Sequence, residues 1–158
     1  MYTANFPRSA IVETHGKIPF DIGPNDWLIS IADKDAFNAY PKKKFGRVLF
    51  LNFNDLESTT GTKGETPRSK ELLASMGAIT DAQADQIAEF IVEAREAKAN
   101  VIVNCHAGIC RSGAVVRILG ELGWHIDDRF SPERRPNMLV YGKLRKRFNE
   151  LAQSWDFE

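Results

Sequence analysis

Val101-Ile102-Val103-Asn104-Cys105-His106-Ala107-Gly108-Ile109-Cys110-Arg111-Ser112 is the stretch on which the reading of this chain turns. Its apolar start reads as a strand buried on both faces, as the central strands of parallel sheets are. The run stops at a cysteine, and from Arg111 the pattern reads as a helix that ends near Gly120 or Gly123. A loop between a strand and a helix N-terminus gathers backbone N–H groups, and the helix dipole adds positive potential there. Such a nest favours an anion and the thiolate form of a cysteine. Arg111 can meet a phosphate with two parallel hydrogen bonds. A nucleophile, an anion cradle and a fixed cation within eight residues point to phosphoryl transfer onto sulfur.

Outward from this loop, two more apolar runs read as strands: residues 27–32, after the turn Gly23-Pro24-Asn25-Asp26, and residues 47–53, with alternation at Leu49, Leu51 and Phe53. Thr66-Pro67 predicts the start of a short helix, with Thr66 as N-cap, Pro67 at the first position and Gly77 closing it. Thr80-x-x-Gln83 is a capping box. After it Ala84, Ile87, Ala88, Ile91 and Ala94 recur at helical spacing, so a helix is expected to about Lys98. A last helix over residues 136–153 carries Tyr141, Leu144, Phe148 and Leu151 on one face. Strands alternating with helices imply an α/β fold, a single domain with a mostly parallel central sheet flanked by helices. In such sheets ligands bind beyond the C-terminal strand ends, where Cys105 and Asp55 could share a cleft. The first 26 residues match no element by these signals.

A length of 158 residues suits one ordinary domain with a full core. The net charge is zero, which argues against nucleic acid and anionic membranes as partners. The cluster Lys143, Arg145, Lys146 and Arg147, with Glu150, Asp156 and Glu158 nearby, reads as a solvated helix face. No apolar run approaches the ~20 residues of a membrane helix, and the N-terminus lacks a signal peptide's apolar stretch. Two cysteines fit a reducing cytoplasm better than a disulfide scaffold. The polar stretch 58–66 is the candidate for a mobile loop. His15 and His125 have no partners at metal-ligand spacing, so neither metal nor cofactor is expected. Phe45, Phe50, Phe53 and Phe90 read as core.

Cys105-x5-Arg111-Ser112, with Ala107-Gly108 inside it, resembles the signature loop of the cysteine-based protein tyrosine phosphatases, in particular a small dual-specificity-like branch in bacteria and phages. The core of the resemblance covers about a dozen residues. Weaker similarity runs through residues 28–31, 47–55, 80–94 and Pro136-Asn137. It implies a phosphomonoester hydrolase, a protein tyrosine or dual-specificity phosphatase, acting through a phosphocysteine. The implied substrate is a phosphorylated protein or a small phosphomonoester, and the chain is read as a monomer. Cys105 is the implied nucleophile and Arg111 the phosphate clamp. The backbone of His106, Ala107, Gly108, Ile109, Cys110 and Arg111 would bind the phosphate oxygens. Ser112 would donate to the sulfur and help it leave. Asp55 is the implied general acid, 50 residues before the cysteine. Asp81 is a rival, although it sits where a helix N-terminus favours an acid; Glu57 and Glu65 are others.

Two departures stand out. The residue before the nucleophile, usually histidine in that family, is Asn104, which is expected to bond to loop carbonyls instead. Cys110 lies within the loop, either as a small tolerated residue or as a reversible disulfide partner for Cys105. Two other classes stay open: a non-catalytic phosphate-binding pseudophosphatase, and a rhodanese- or arsenate-reductase-like thiol enzyme.

Overall fold

The computed structural model describes residues 1–12, 18, 21–57, 66–127 and 135–152. The elements are β1 (Tyr2–Pro7), α1 (Arg8–Val12), β2 (Asp26–Ala32), β3 (Arg47–Asn52), α2 (Lys70–Ser75), α3 (Asp81–Glu96), β4 (Asn100–Cys105), α4 (Arg111–Glu121), β5 (His125–Ile126) and α5 (Met138–Ala152). The five strands form one parallel sheet in the order β3-β2-β4-β1-β5. This is the expected α/β arrangement of a parallel sheet flanked by helices.

Side-chain alternation divides the core into two layers. On one face Ile29 and Ile31 of β2 and Val101, Val103 and Cys105 of β4 pack with α3, α4 and α5 through Ile87, Ile91, Val115, Leu119, Leu144 and Phe148. On the other face Ala4, Phe6, Leu28 and Ile102 pack with Ile11 of α1 and Phe45. Phe53 and Phe90 are also buried, as expected, whereas Phe50 is only half-buried. The connections after β2 and β4 leave toward opposite edges of the sheet, which opens a crevice at the C-terminal end of β4.

The structure corrects several boundaries. The unplaced N-terminal region contains β1, an inner strand paired with β4 from Thr3–Val101 to Pro7–Cys105. Helix α2 begins at Lys70 with Ser69 as its N-cap, not at Thr66-Pro67. Ser69 Oγ accepts from Leu72 N at 3.1 Å. The chain stays non-helical before it, and there Arg68 Nη1 donates to the Glu57 carbonyl at 3.0 Å. Gly77 does close α2, with φ +83°. The capping box of Thr80 and Gln83 opens α3 as expected, and α3 ends at Glu96. Helix α5 starts two residues later than expected, and β3 ends before Phe53. The basic cluster is only partly a solvated face. Arg145 and Lys146 are exposed, but Lys143 and Arg147 are half-buried and ion-paired with Asp81 and Asp85 of α3. The proposed mobile loop, apart from Thr66, and His15, Glu65, Asp156 and Glu158 lie outside the described residues. Among the described residues no helix is long and apolar enough to cross a membrane.

Candidate active site

Strand β4 delivers Cys105 to the C-terminal edge of the sheet, between β2 and β1. The residue is 2 % exposed, and its Sγ lies 3.2 Å from Ser112 Oγ on the first turn of α4. Ser112 therefore does not act as the helix N-cap. That position is Cys110, whose side chain makes no capping bond. Both cysteines are free thiols.

Residues 106–110 form the turn between β4 and α4, and three of their five carbonyls accept hydrogen bonds from the surrounding protein. The His106 carbonyl accepts from Arg8 N at 3.1 Å. The Gly108 carbonyl accepts from Asn5 Nδ2 at 2.6 Å. The Cys110 carbonyl accepts from Ala114 N at 3.0 Å and from Asn137 N at 2.9 Å. The N–H groups of residues 106 to 111 donate to no acceptor among the described residues. A turn with alternate carbonyls held by protein and its amides left over is a donor set for an anion.

Gly108 makes the turn possible. Its φ is +72°, and a Cβ there would lie 2.4 Å from Pro7 N and 2.5 Å from the Phe6 carbonyl carbon. The loop thus seats directly on the end of β1, and only a residue without a side chain fits. His106 and Ala107 are exposed at the rim, while Ile109 and Cys110 are half-buried. Asn104 does not take the expected role. It is buried, its side chain makes no hydrogen bond among the described residues, and its Oδ1 is left unpartnered. The amide that grips the loop is Asn5, on the neighbouring strand.

Arg111 is not a surface arginine. Its side chain is 5 % exposed, and its Nη1 donates to Asp33 Oδ1 at 2.8 Å and to the Phe53 carbonyl at 2.7 Å. Its Nε is buried with no partner, and no described residue accepts from Nη2. One edge of the guanidinium is held by protein, and the Nε–Nη2 edge, the fork that matches two oxygens of an oxyanion, is unused among the described residues. Asp33 and the Phe53 carbonyl lie just past the ends of β2 and β3, so three strand ends meet at this guanidinium.

Asp55 belongs to the same cluster, three residues past β3 rather than at its end. Its Oδ1 accepts from Asn137 Nδ2 at 2.7 Å. Its carboxylate also acts on the nearby Cys110 thiol. Burial pushes that thiol above its ordinary range, and the charge of Asp55 adds to the shift, with smaller contributions from Cys105 and Glu57. Asn137 couples Asp55 to α5: its Oδ1 accepts from Leu139 N and Val140 N at 3.0 and 3.1 Å, as an N-cap does. Asn137 Nδ2 also donates to the Leu56 carbonyl at 3.0 Å, and Glu57 Oε1 accepts from Met138 N at 2.8 Å. Asp81 opens α3 and is bonded to Lys143 at 2.6 Å, which holds its carboxyl below the ordinary range. It makes no bond to the loop.

The structure therefore gathers Cys105, Ser112, Arg111, Cys110 and Asp55 at one edge of the sheet. Sequence reasoning missed Asn5 and Asp33. For Asp33 a signal existed, since it follows a strand end as Asp55 does. Asn5 had none, because its strand was unread. No protein-family profile matches this chain, and comparison with curated proteins finds no significant relative.

Proposed function

We propose that this protein is a phosphomonoester hydrolase, with a protein tyrosine or dual-specificity phosphatase as the specific reading, acting in the cytoplasm. The observation that carries the proposal is the unused donor set beside a nucleophile. The amides of residues 106 to 111 and the Nε–Nη2 edge of Arg111 have no acceptor among the described residues, next to a sulfur 3.2 Å from a hydroxyl. A tetrahedral dianion with several acceptor oxygens satisfies such donors.

In the first step the Cys105 sulfur attacks phosphorus in line, an S–P bond forms, and the P–O bond to the leaving group breaks. Asp55 gives its proton to the departing oxygen. Arg111 follows the equatorial oxygens into the transition state, where positioned charge contributes most. In the second step Asp55 takes a proton from water, the water oxygen attacks phosphorus, and the S–P bond breaks. Ser112 Oγ donates to the sulfur as negative charge returns to it. Asn137 keeps the acid loop against the nucleophile loop throughout.

The test is hydrolysis of an aryl phosphate by the purified protein. Cys105→Ser is expected to lower turnover by at least about a thousandfold, as loss of a nucleophile does. Vanadate is expected to inhibit the parent. Equal rates for the parent and Cys105→Ser would refute the reading.

A further inference from the structure

A cleft of about 480 Å³ runs between the start of α3, the first residue of α2 and the exposed side of α5. It opens beside the acid loop, because Met138 on its rim donates its N–H to Glu57 and the preceding Asn137 holds Asp55. The lining is mixed in charge but unbalanced. Lys143 is bonded to Asp81, and Arg147 lies 2.9 Å from Asp85 and 3.6 Å from Glu150. Lys70 and Lys146 also line the cleft; both add to the field that lowers the Asp81 carboxyl, but neither makes an ion pair within 4.0 Å among the described residues. Met138, 53 % exposed, adds an apolar rim.

We propose that this cleft seats an acidic segment of a phosphorylated protein chain, next to the phosphorylated residue held at the Cys105 loop. The inference rests on the phosphatase reading and names its substrate class. Four cations face three carboxylates in the lining, and the two ammonium groups outside an ion pair, Lys70 and Lys146, attract isolated carboxylates. Three resident carboxylates oppose a continuous polyanion, so RNA fits poorly. The exposed methionine offers contact to aliphatic side chains that a peptide carries between its acids.

The experiment compares three substrates: a phosphotyrosine peptide with Glu and Asp flanks, the same peptide with Gln and Asn flanks, and a small aryl phosphate too short to reach the cleft. Each is tested on the parent and on Lys70→Gln/Lys146→Gln. Binding of an unphosphorylated acidic peptide and of an RNA oligonucleotide is read in parallel by fluorescence anisotropy. The parent is expected to favour the acidic peptide in kcat/KM by roughly 3–10-fold, through KM and less so at high salt, the scale of two exposed charge pairs. The double variant loses that preference and keeps its rate on the aryl phosphate. Turnover without a flank preference, or with one that the variant retains, overturns the cleft and leaves the phosphatase reading standing. Loss of turnover with lysine-dependent peptide binding sinks the reaction and retains the acidic-segment site. Tighter binding of RNA than of peptide overturns the proposed occupant.

Discussion

Arg111 shows how one residue is made ready by its surroundings. A cation in the first turn of a helix meets the positive end of the dipole, and a buried one must also be desolvated. Asp33 and the Phe53 carbonyl offset both costs at Nη1. The same contacts fix which edge of the guanidinium faces outward. Asp33→Asn keeps an acceptor oxygen but removes the charge. It is expected to lower kcat/KM on an aryl phosphate by about tenfold, the scale of weakened electrostatic positioning, and to change the melting temperature little, because Asp33 is 60 % exposed. An unchanged kcat/KM would show that Nη1 does not orient the fork. Cys110 carries a second prediction at this scale. Its raised thiol pKa means the folded state holds the proton more tightly than the unfolded chain does. The associated stability is present at neutral pH and is lost as pH rises through the folded value. Alkylation of Cys110 by iodoacetamide near pH 8 should therefore be slower in the folded protein than in urea. Asp55→Asn should speed it, because removing the carboxylate removes the second-largest cause of the shift. Mass mapping of the alkylated peptide checks both.

At the scale of elements, the junction of α5 with the Asp55 loop joins two parts of the proposed site. Asn137 is at once the cap of α5 and the donor to Asp55, so its two functions separate by substitution. Asn137→Asp keeps the capping oxygen but sets a carboxylate against Asp55. It is expected to lower kcat while leaving the helix intact by circular dichroism. Asn137→Ala loses both and should also cost about 1–2 kcal/mol in urea unfolding, the usual worth of a cap. Equal kcat for Asn137→Asp and the parent would show that the Asp55 contact is not used. This junction was partly legible: Pro136-Asn137 stood out as a motif, but its partner lies 82 residues away and only the folded chain joins them. The α3 capping box was legible because the whole signal sits within four residues. The start of α2 was not, because Thr66-Pro67 and Ser69 are both sound caps by local signals, and the helix uses Ser69.

The whole molecule brings the ends of four strands to one crevice. Cys105, Gly108, Arg111 and Ser112 were readable because they are contiguous and their spacing carries the chemistry. The scaffold that turns their loop was not. β1 has the sequence Tyr2-Thr3-Ala4-Asn5-Phe6-Pro7, whose polar residues break any apolar pattern, yet four of its six residues are buried. A strand paired on both sides is dictated by its neighbours more than by its own hydropathy. Asn5 on that strand grips the Gly108 carbonyl, and Pro7 lies against Gly108, so the least legible strand shapes the most legible loop. The claim that binds these parts is that Cys105 takes the phosphoryl group. The most direct measurement is mass spectrometry of Asp55→Ala quenched in acid during turnover of an aryl phosphate. The account predicts a phosphorylated peptide containing Cys105, which is absent when Cys105→Ser is added. Sustained hydrolysis by the parent with no adduct on Cys105, or with the phosphoryl group trapped on another residue, would contradict it.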